Sequence, residues 1–175
     1  VKRYLTFSIP PGVCDEIVKV AREHDSMDAR LTGADPYVDH VARKTEVVWL
    51  PHGWYDGIMT EIGMSANLEF GFDISDGEDI QVGWYEEGGH YGFHSDVDPY
   101  NTTRGYHRKV TIVLCLEDEY EGGELEFNFG KENATLKLKK GEAVAFPSWL
   151  LHKVHPVTSG TRATAVKWLT GPFWR

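Results

Sequence analysis

Residues 109–129 read KVTIVLCLEDEYEGGELEFNF. An apolar, β-branched run is followed by an acidic break, a glycine pair, and a second run in which apolar and polar residues alternate. Alternation with a period of two marks a half-buried strand, and a short continuous apolar run fits a strand covered on both faces. The pattern repeats outward from this stretch. IQVGWY (80–85) precedes it, and ATLKLKK (134–140), EAVAFP (142–147), HKVHPV (152–157) and RATAVKWL (162–169) follow, punctuated by Gly130, Gly141 and Gly160. Short strands separated by glycine turns predict an antiparallel sandwich or barrel.

Upstream the rhythm is different. PPGVCDEIVKVAREH (10–24) opens on proline and carries Val13, Ile17, Val18 and Ala21 at helical spacing. WYDGIMTEIGMSANLEF (54–70) repeats that spacing despite Gly63, and EVVWL (46–50), closed by Pro51, reads as an edge strand. The expected fold class is therefore mainly β with N-terminal helices (α+β), a β-roll buttressed by a helical layer. Nothing divides the chain, so residues 1–175 are expected to form a single domain, with helical support over about 1–75 and a β core over about 78–171.

Composition bounds the function. A hydrophobic share of 41% and a charged share of 26% suit an ordinary soluble protein, and the net charge of −9 disfavours a general nucleic-acid binder. No apolar run is long enough to span a membrane, so a soluble, cytoplasmic protein is expected. Because the chain begins at Val1, a trimmed leader stays open. Cys14 and Cys115 read as buried free thiols, too few for a disulfide framework.

The chemistry gathers in YEEGGHYGFHSD (85–96). Residues two apart on a strand share a face, so His94 and Asp96 project into the same space and could bind one metal ion; taken alone, the pair also reads as a polar strand end with a satisfied histidine. A third ligand would complete a facial set of two histidines and one carboxylate, which leaves positions open on Fe(II). His90 has no carboxylate partner at strand spacing. Downstream, FPSWLLHKVHPVTSGTRATAVKWL (146–169) offers His152 and His155, which spacing alone does not separate. Arg162 lies ten residues beyond His152. If the second run folds back beside the first as a hairpin, its guanidinium sits near the metal and suits a bidentate grip on a carboxylate.

These residues resemble those of the iron- and 2-oxoglutarate-dependent oxygenases, in particular the prolyl 4-hydroxylase-like group with the PKHD-type hydroxylases. The likeness runs through Tyr85, Gly88, Tyr91, His94 and Asp96, then Gly122, Gly123 and Glu124, then Gly141 to Pro147, then His152 to Arg162 and Lys167 to Leu169, over roughly residues 80 to 170. The resemblance implies a double-stranded β-helix (a jelly-roll, cupin-like core) with His94, Asp96 and His152 as metal ligands. It selects His152 over His155, makes Arg162 the catalytic-site anchor of the distal 2-oxoglutarate carboxylate, and adds Tyr85 and Thr164 as cosubstrate contacts. More loosely it implies substrate contacts at Tyr91, Arg108 and Trp168, which otherwise read as core aromatics and a surface cation. The chain departs from part of the group in having Arg162 where many members have lysine, and Thr170 where some have a substrate-contacting histidine.

The implied cofactors are Fe(II), 2-oxoglutarate and O2, with ascorbate as an auxiliary reductant. The implied reaction is hydroxylation of peptidyl proline coupled to decarboxylation of 2-oxoglutarate to succinate and CO2. Asp96 as a ligand disfavours halogenation. The same chemistry on a free amino acid or other small molecule is the alternative. From another class comes a non-oxidative cupin-like metal-binding protein or isomerase, against which Arg162 speaks. The expected partner is a peptide or small molecule, a proline-containing peptide above all, without nucleic acid or membrane. The irregular stretch DVDPYNTTRGYH (96–107) is read as a substrate lid, with Tyr100, Arg104 and Tyr106 facing the substrate.

Overall fold

The N-terminal apolar rhythm folds as helix α1 (Pro11–Arg22), which starts behind Pro10 and buries Cys14, Ile17, Val18 and Ala21 along one stripe. Helix α2 (Trp54–Phe70) covers the whole second helical stretch. Its start is fixed at Gly53, whose N–H donates to the Asp56 carboxylate at 2.8 Å while the Asp56 N–H returns to the Gly53 carbonyl at 3.1 Å. Gly63 is the point of closest approach to the sheet. A Cβ there would come within 2.7 Å of Leu169 Cδ1 and 2.8 Å of Ile112 Cδ1, which accounts for a glycine in mid-helix. The computed structural model describes residues 2–28, 41–97 and 105–174. No helix among them is long and apolar enough to cross a membrane.

In chain order the strands begin with β1 (Leu5–Ser8), β2 (Met27–Asp28), β3 (Arg43–Lys44), β4 (Glu46–Trp49), β5 (Asp76–Gly77), β6 (Gln81–Tyr85), β7 (His90–His94) and β8 (His107–Cys115). They continue with β9 (Tyr120–Gly122), β10 (Leu125–Asn128), β11 (Asn133–Leu136), β12 (Glu142–Pro147), β13 (His152–Val154), β14 (Val157–Gly160) and β15 (Arg162–Gly171). The larger sheet runs β1-β12-β8-β15-β6-β4-β2 with β5 added on β15, and the smaller runs β11-β10-β13-β7-β3. Strands β14 and β9 form a separate ribbon. Together these make the antiparallel jelly-roll expected from the strand runs.

Two readings of the sequence need correction. EVVWL was expected at an edge, but β4 lies between β6 and the two-residue β2. The chain also does not open on a helix: LTFS pairs with β12 from Leu5↔Ala145 to Ser8↔Glu142 and borders the larger sheet.

The larger sheet separates two apolar clusters. On its outer face Ile112, Leu114, Ala165 and Leu169 pack against Ile17, Met59 and Ile62 of the helices. On its inner face Tyr85, Val113, Cys115, Val144 and Phe146 meet Leu125, Phe127 and Val154 of the smaller sheet. Burying a Phe side chain of this kind stabilises the fold by about 1.5–3 kcal/mol.

Two interruptions of register decide which polar side chains enter this interior. Between β8 and β15 the pairing steps from Leu169↔Val110 to Thr170↔Arg108, leaving Lys109 as an extra residue. Between β13 and β7 it steps from His152↔His94 to Val154↔Tyr91, three residues of β7 against two of β13. Each bulge reverses the alternation. Arg108 therefore shares the inner face with Thr111, and Tyr91 shares a face with His94.

Candidate metal centre

His94 ends β7 and His152 begins β13, and the two are direct cross-strand partners. Each ring is fixed by a short local bond. His94 Nδ1 meets the Gly92 carbonyl at 2.8 Å, and His152 Nδ1 meets the Leu150 carbonyl at 2.8 Å. A carbonyl only accepts, so in each neutral ring the proton sits on Nδ1 and Nε2 carries a bare lone pair. Both lone pairs face Asp96: His94 Nε2 lies 3.4 Å from Oδ1 and His152 Nε2 lies 3.7 Å from Oδ2.

Asp96 lies beyond the end of β7, so strand alternation is not what aims it. Its N–H donates to the Ser148 carbonyl at 2.9 Å, which ties it to the turn after β12. Its Oδ2 accepts from Thr111 Oγ1 at 2.7 Å, and Thr111 Oγ1 lies 3.0 Å from Ser148 Oγ. One hydroxyl proton serves each bond, so Ser148 donates to Thr111 and Thr111 to Asp96. Burial pushes the Asp96 carboxyl up, but the positive charge that His152 and His94 carry when protonated, and the standing charge of Arg108, outweigh it and hold the group well below the usual carboxylate range. Burial, followed by the neighbouring His94, brings His152 down to about 4, leaving it neutral at pH 7.

The three ligand atoms lie within 4.8 Å of one another. With both rings in the neutral form, two nitrogen lone pairs and a carboxylate converge with no proton between them. That arrangement is repulsive alone and is relieved by a cation, so the donor set fits a divalent metal such as Fe(II).

The other histidines are occupied elsewhere. His155 meets the Glu126 carboxylate at 2.5 Å on the outer face, where Lys153 also pairs with Glu126 at 3.1 Å. His90 faces the Gly88 carbonyl with Nδ1 at 3.0 Å and the Val41 carbonyl with Nε2 at 2.9 Å.

Arg162 reaches the interior by a different route from the expected hairpin. Strand β15 does not return beside β13; it lies in the opposite sheet between β8 and β6, with Arg162 opposite Tyr85. The guanidinium carbon lies 5.0 Å from the Tyr85 ring centroid. Arg162 is 3% exposed, its Nε has no hydrogen-bond partner, and no carboxylate among the described residues pairs with it. A buried cation without an anion is costly, so this position fits an incoming carboxylate. Thr164, two residues on, is buried on the same face. The interior that holds Tyr85 also holds Phe146, whose ring centroid lies 4.8 Å from that of His152.

The remaining expected residues surround this centre. Tyr91 stacks on His94 with centroids 3.4 Å apart, and the Arg43 guanidinium lies 4.5 Å from the Tyr91 ring. Arg108 is no surface cation: it is buried and grips Glu78 through Nε and an Nη at 2.7 and 2.6 Å. It also lies 3.7 Å over the Trp168 ring, whose indole N–H is buried without an acceptor. Trp49 covers part of Trp168 from 6.0 Å and is 40% exposed. Tyr100 and Arg104, with most of the expected lid, lie outside the described residues. Thr111, Ser148 and Glu78 had escaped notice; a polar Thr inside the run VTIVLC was the one available signal.

Residues 80–170 match the sequence pattern of the 2OG-Fe(II) oxygenase superfamily. A PKHD-type hydroxylase of Herminiimonas arsenicoxydans is 38% identical over 90 residues, covering 49% of this chain and 40% of that protein. The match thus spans less than half the length of this curated relative. Among solved structures, a prolyl-4-hydroxylase of Pseudomonas putida superposes with a TM-score of 0.78 at 19% identity, over 97% of this chain and 93% of that one. A prolyl hydroxylase of Trichoplax adhaerens, in complex with a hypoxia inducible factor peptide, gives 0.75 at 15% identity over 95% and 83%. With the jelly-roll and its His-Asp-His cluster in place, the chain belongs to the 2OG-Fe(II) oxygenase superfamily.

Proposed function

We propose that this chain is an Fe(II)- and 2-oxoglutarate-dependent hydroxylase acting on peptidyl proline. In this reading His94, Asp96 and His152 hold the metal, and Arg162 binds the distal carboxylate of 2-oxoglutarate with Tyr85 and Thr164 beside it. The observation that carries it is the buried Arg162, with no carboxylate partner among the described residues, sharing one interior with three converging ligands. A non-oxidative metal protein has no use for that cation. When bound, the metal and 2-oxoglutarate would activate O2, the oxidant: one oxygen atom ends in the hydroxyl of the C–H carbon and the other in succinate, formed with CO2 from 2-oxoglutarate.

The protein's own contribution is positioning and exclusion of water. The Nδ1 bonds of His94 and His152 fix both rings, and Thr111 fixes Asp96. Phe127 and Phe146 keep the back of His152 dry. On the substrate side, Trp168 offers an aromatic edge and an unpaired N–H suited to a peptide carbonyl, while Tyr91 and Arg108 flank the ligands. The Arg108 fork is filled by Glu78, which favours an uncharged peptide segment over a free carboxylate there. The solved relative bound to a peptide supports the same class of substrate.

The test is succinate formation with Fe(II), 2-oxoglutarate and ascorbate, followed by a mass-spectrometric search for a gain of one oxygen across proline-rich peptides and free amino acids. Succinate should form in the parent and fall at least about a hundredfold in His94→Ala and Arg162→Ala. Unchanged release in both variants would refute the site. Oxygen gain only in free amino acids would replace the peptide substrate with a small molecule.

A further inference from the structure

Arg162 is enclosed by groups that orient it without neutralising it. Gly123, at φ +64, lies between its stem and an aromatic ring: a Cβ there would come within 2.8 Å of Arg162 Cδ and 3.2 Å of Tyr120 Cε2. Tyr120 is 5% exposed and belongs to the same interior cluster as Tyr85. Its hydroxyl donates to the Leu138 carbonyl at 3.4 Å and lies 4.0 Å from Cys115 Sγ. From outside, Lys137 Nζ lies 3.6 Å from the Tyr120 ring centroid and donates to the Tyr120 carbonyl at 3.2 Å. The ring is thus clamped between a lysine and the glycine that admits Arg162.

Burial pushes the Tyr120 phenol well above the usual tyrosine range, while Arg162 pulls the other way through its charge and a side-chain hydrogen bond. The hydroxyl therefore stays neutral. With its own proton on Leu138, it can only accept toward Arg162. A carboxylate in this place would cancel the guanidinium charge, whereas a neutral acceptor fixes its direction and leaves the charge for an incoming anion.

We propose that Tyr120 is a positioning residue for Arg162 and, backed by Cys115, closes the deep end of the pocket that receives 2-oxoglutarate. This rests on the reading of Arg162 as the cosubstrate anchor. The Tyr120 ring then sets the pocket's depth, and with it the discrimination against longer keto dicarboxylates.

The experiment is calorimetric binding of 2-oxoglutarate and of 2-oxoadipate, one methylene longer, to the Mn(II)-loaded protein. Tyr120→Phe keeps the ring and removes the hydroxyl. Its affinity for 2-oxoglutarate should fall about tenfold, with Mn(II) affinity unchanged and the preference over 2-oxoadipate narrowed. Lys137→Met, at an exposed side chain, loosens the same ring and should weaken 2-oxoglutarate about two- to threefold. Parent-like affinity and preference in both variants, while Arg162→Ala loses binding, would overturn the role of Tyr120. Parent-like binding in Arg162→Ala would instead remove the cosubstrate reading itself. A lowered melting temperature in Tyr120→Phe with unaltered affinity marks a purely structural role and also overturns the proposal.

Discussion

At the scale of single residues, the centre is decided by where protons cannot go. The carbonyls of Gly92 and Leu150 hold the Nδ1 protons, so both Nε2 atoms meet the Asp96 carboxylate as acceptors against acceptors. A divalent ion should therefore stabilise the fold. At a free concentration of about one hundred times the dissociation constant, Mn(II) should add about 2.7 kcal/mol, read as a rise in melting temperature that disappears in Asp96→Ala. Thr111 orients that carboxylate from 2.7 Å, so Thr111→Val should weaken Mn(II) binding about 10- to 100-fold with little change in 2-oxoglutarate affinity per loaded site. An equal metal affinity in Thr111→Val would mean that the turn at Ser148 alone aims Asp96. The candidates His94, Asp96 and His152, which the fold brings within 4.8 Å of one another, and the buried Arg162 stood out in the sequence because histidines, an acid and an arginine interrupt otherwise apolar runs at short spacing. Thr111 and Ser148 were not: they meet Asp96 only after strands far apart in the chain are brought together, and in the sequence each is an ordinary hydroxyl beside apolar neighbours.

At the scale of elements, the strand and helix runs announced themselves through their periods, but the irregularities that equip them did not. A bulge adds one residue and leaves local composition untouched. The steps at Lys109 and near Gly92 were therefore invisible, although they are what turn Arg108 and Tyr91 inward. The N-terminal strand was missed because LTFS is too short to show a period before the prolines. The junction between helix and sheet has a polar tie that hydrophobic patterning also conceals. Lys167, on the outer face of β15, pairs with Asp56 at the start of α2 at 2.9 Å and donates to the Glu78 carbonyl at 2.8 Å. The Glu78 carboxylate in turn holds Arg108. Both partners of the Lys167–Asp56 pair are buried, so Lys167→Met should lower stability by about 3–5 kcal/mol in urea unfolding, because Asp56 loses its buried cation and keeps only the Gly53 N–H and the exposed His52. The double variant Lys167→Met/Asp56→Leu should recover part of that loss. If the single variant unfolds like the parent, the tie contributes no stability.

At the scale of the whole molecule, the larger sheet has two faces with separate duties. Its outer face packs on the helices and carries no ligand, while its inner face shares one apolar cluster with the histidine-bearing sheet. The jelly-roll was legible as a set of strands, yet the partner of each strand was not, because pairing across the roll joins residues far apart in sequence. This is why Arg162 enters from the sheet opposite His152 and not from a hairpin beside it. The division of faces separates stability from chemistry in a way that two cavities can test. Phe146, fully buried, packs its ring 4.8 Å from His152, whereas Ile17 is equally buried on the helical side. Phe146→Ala should cost about 3–5 kcal/mol and Ile17→Ala about 2–5 kcal/mol in urea unfolding. Only Phe146→Ala should also weaken Mn(II) binding, because the cavity lets water and motion reach the His152 ring whose Nδ1 bond fixes its direction. Equal Mn(II) affinity in the two folded variants would mean that the Leu150 carbonyl alone holds His152, and that the aromatic packing serves the fold only.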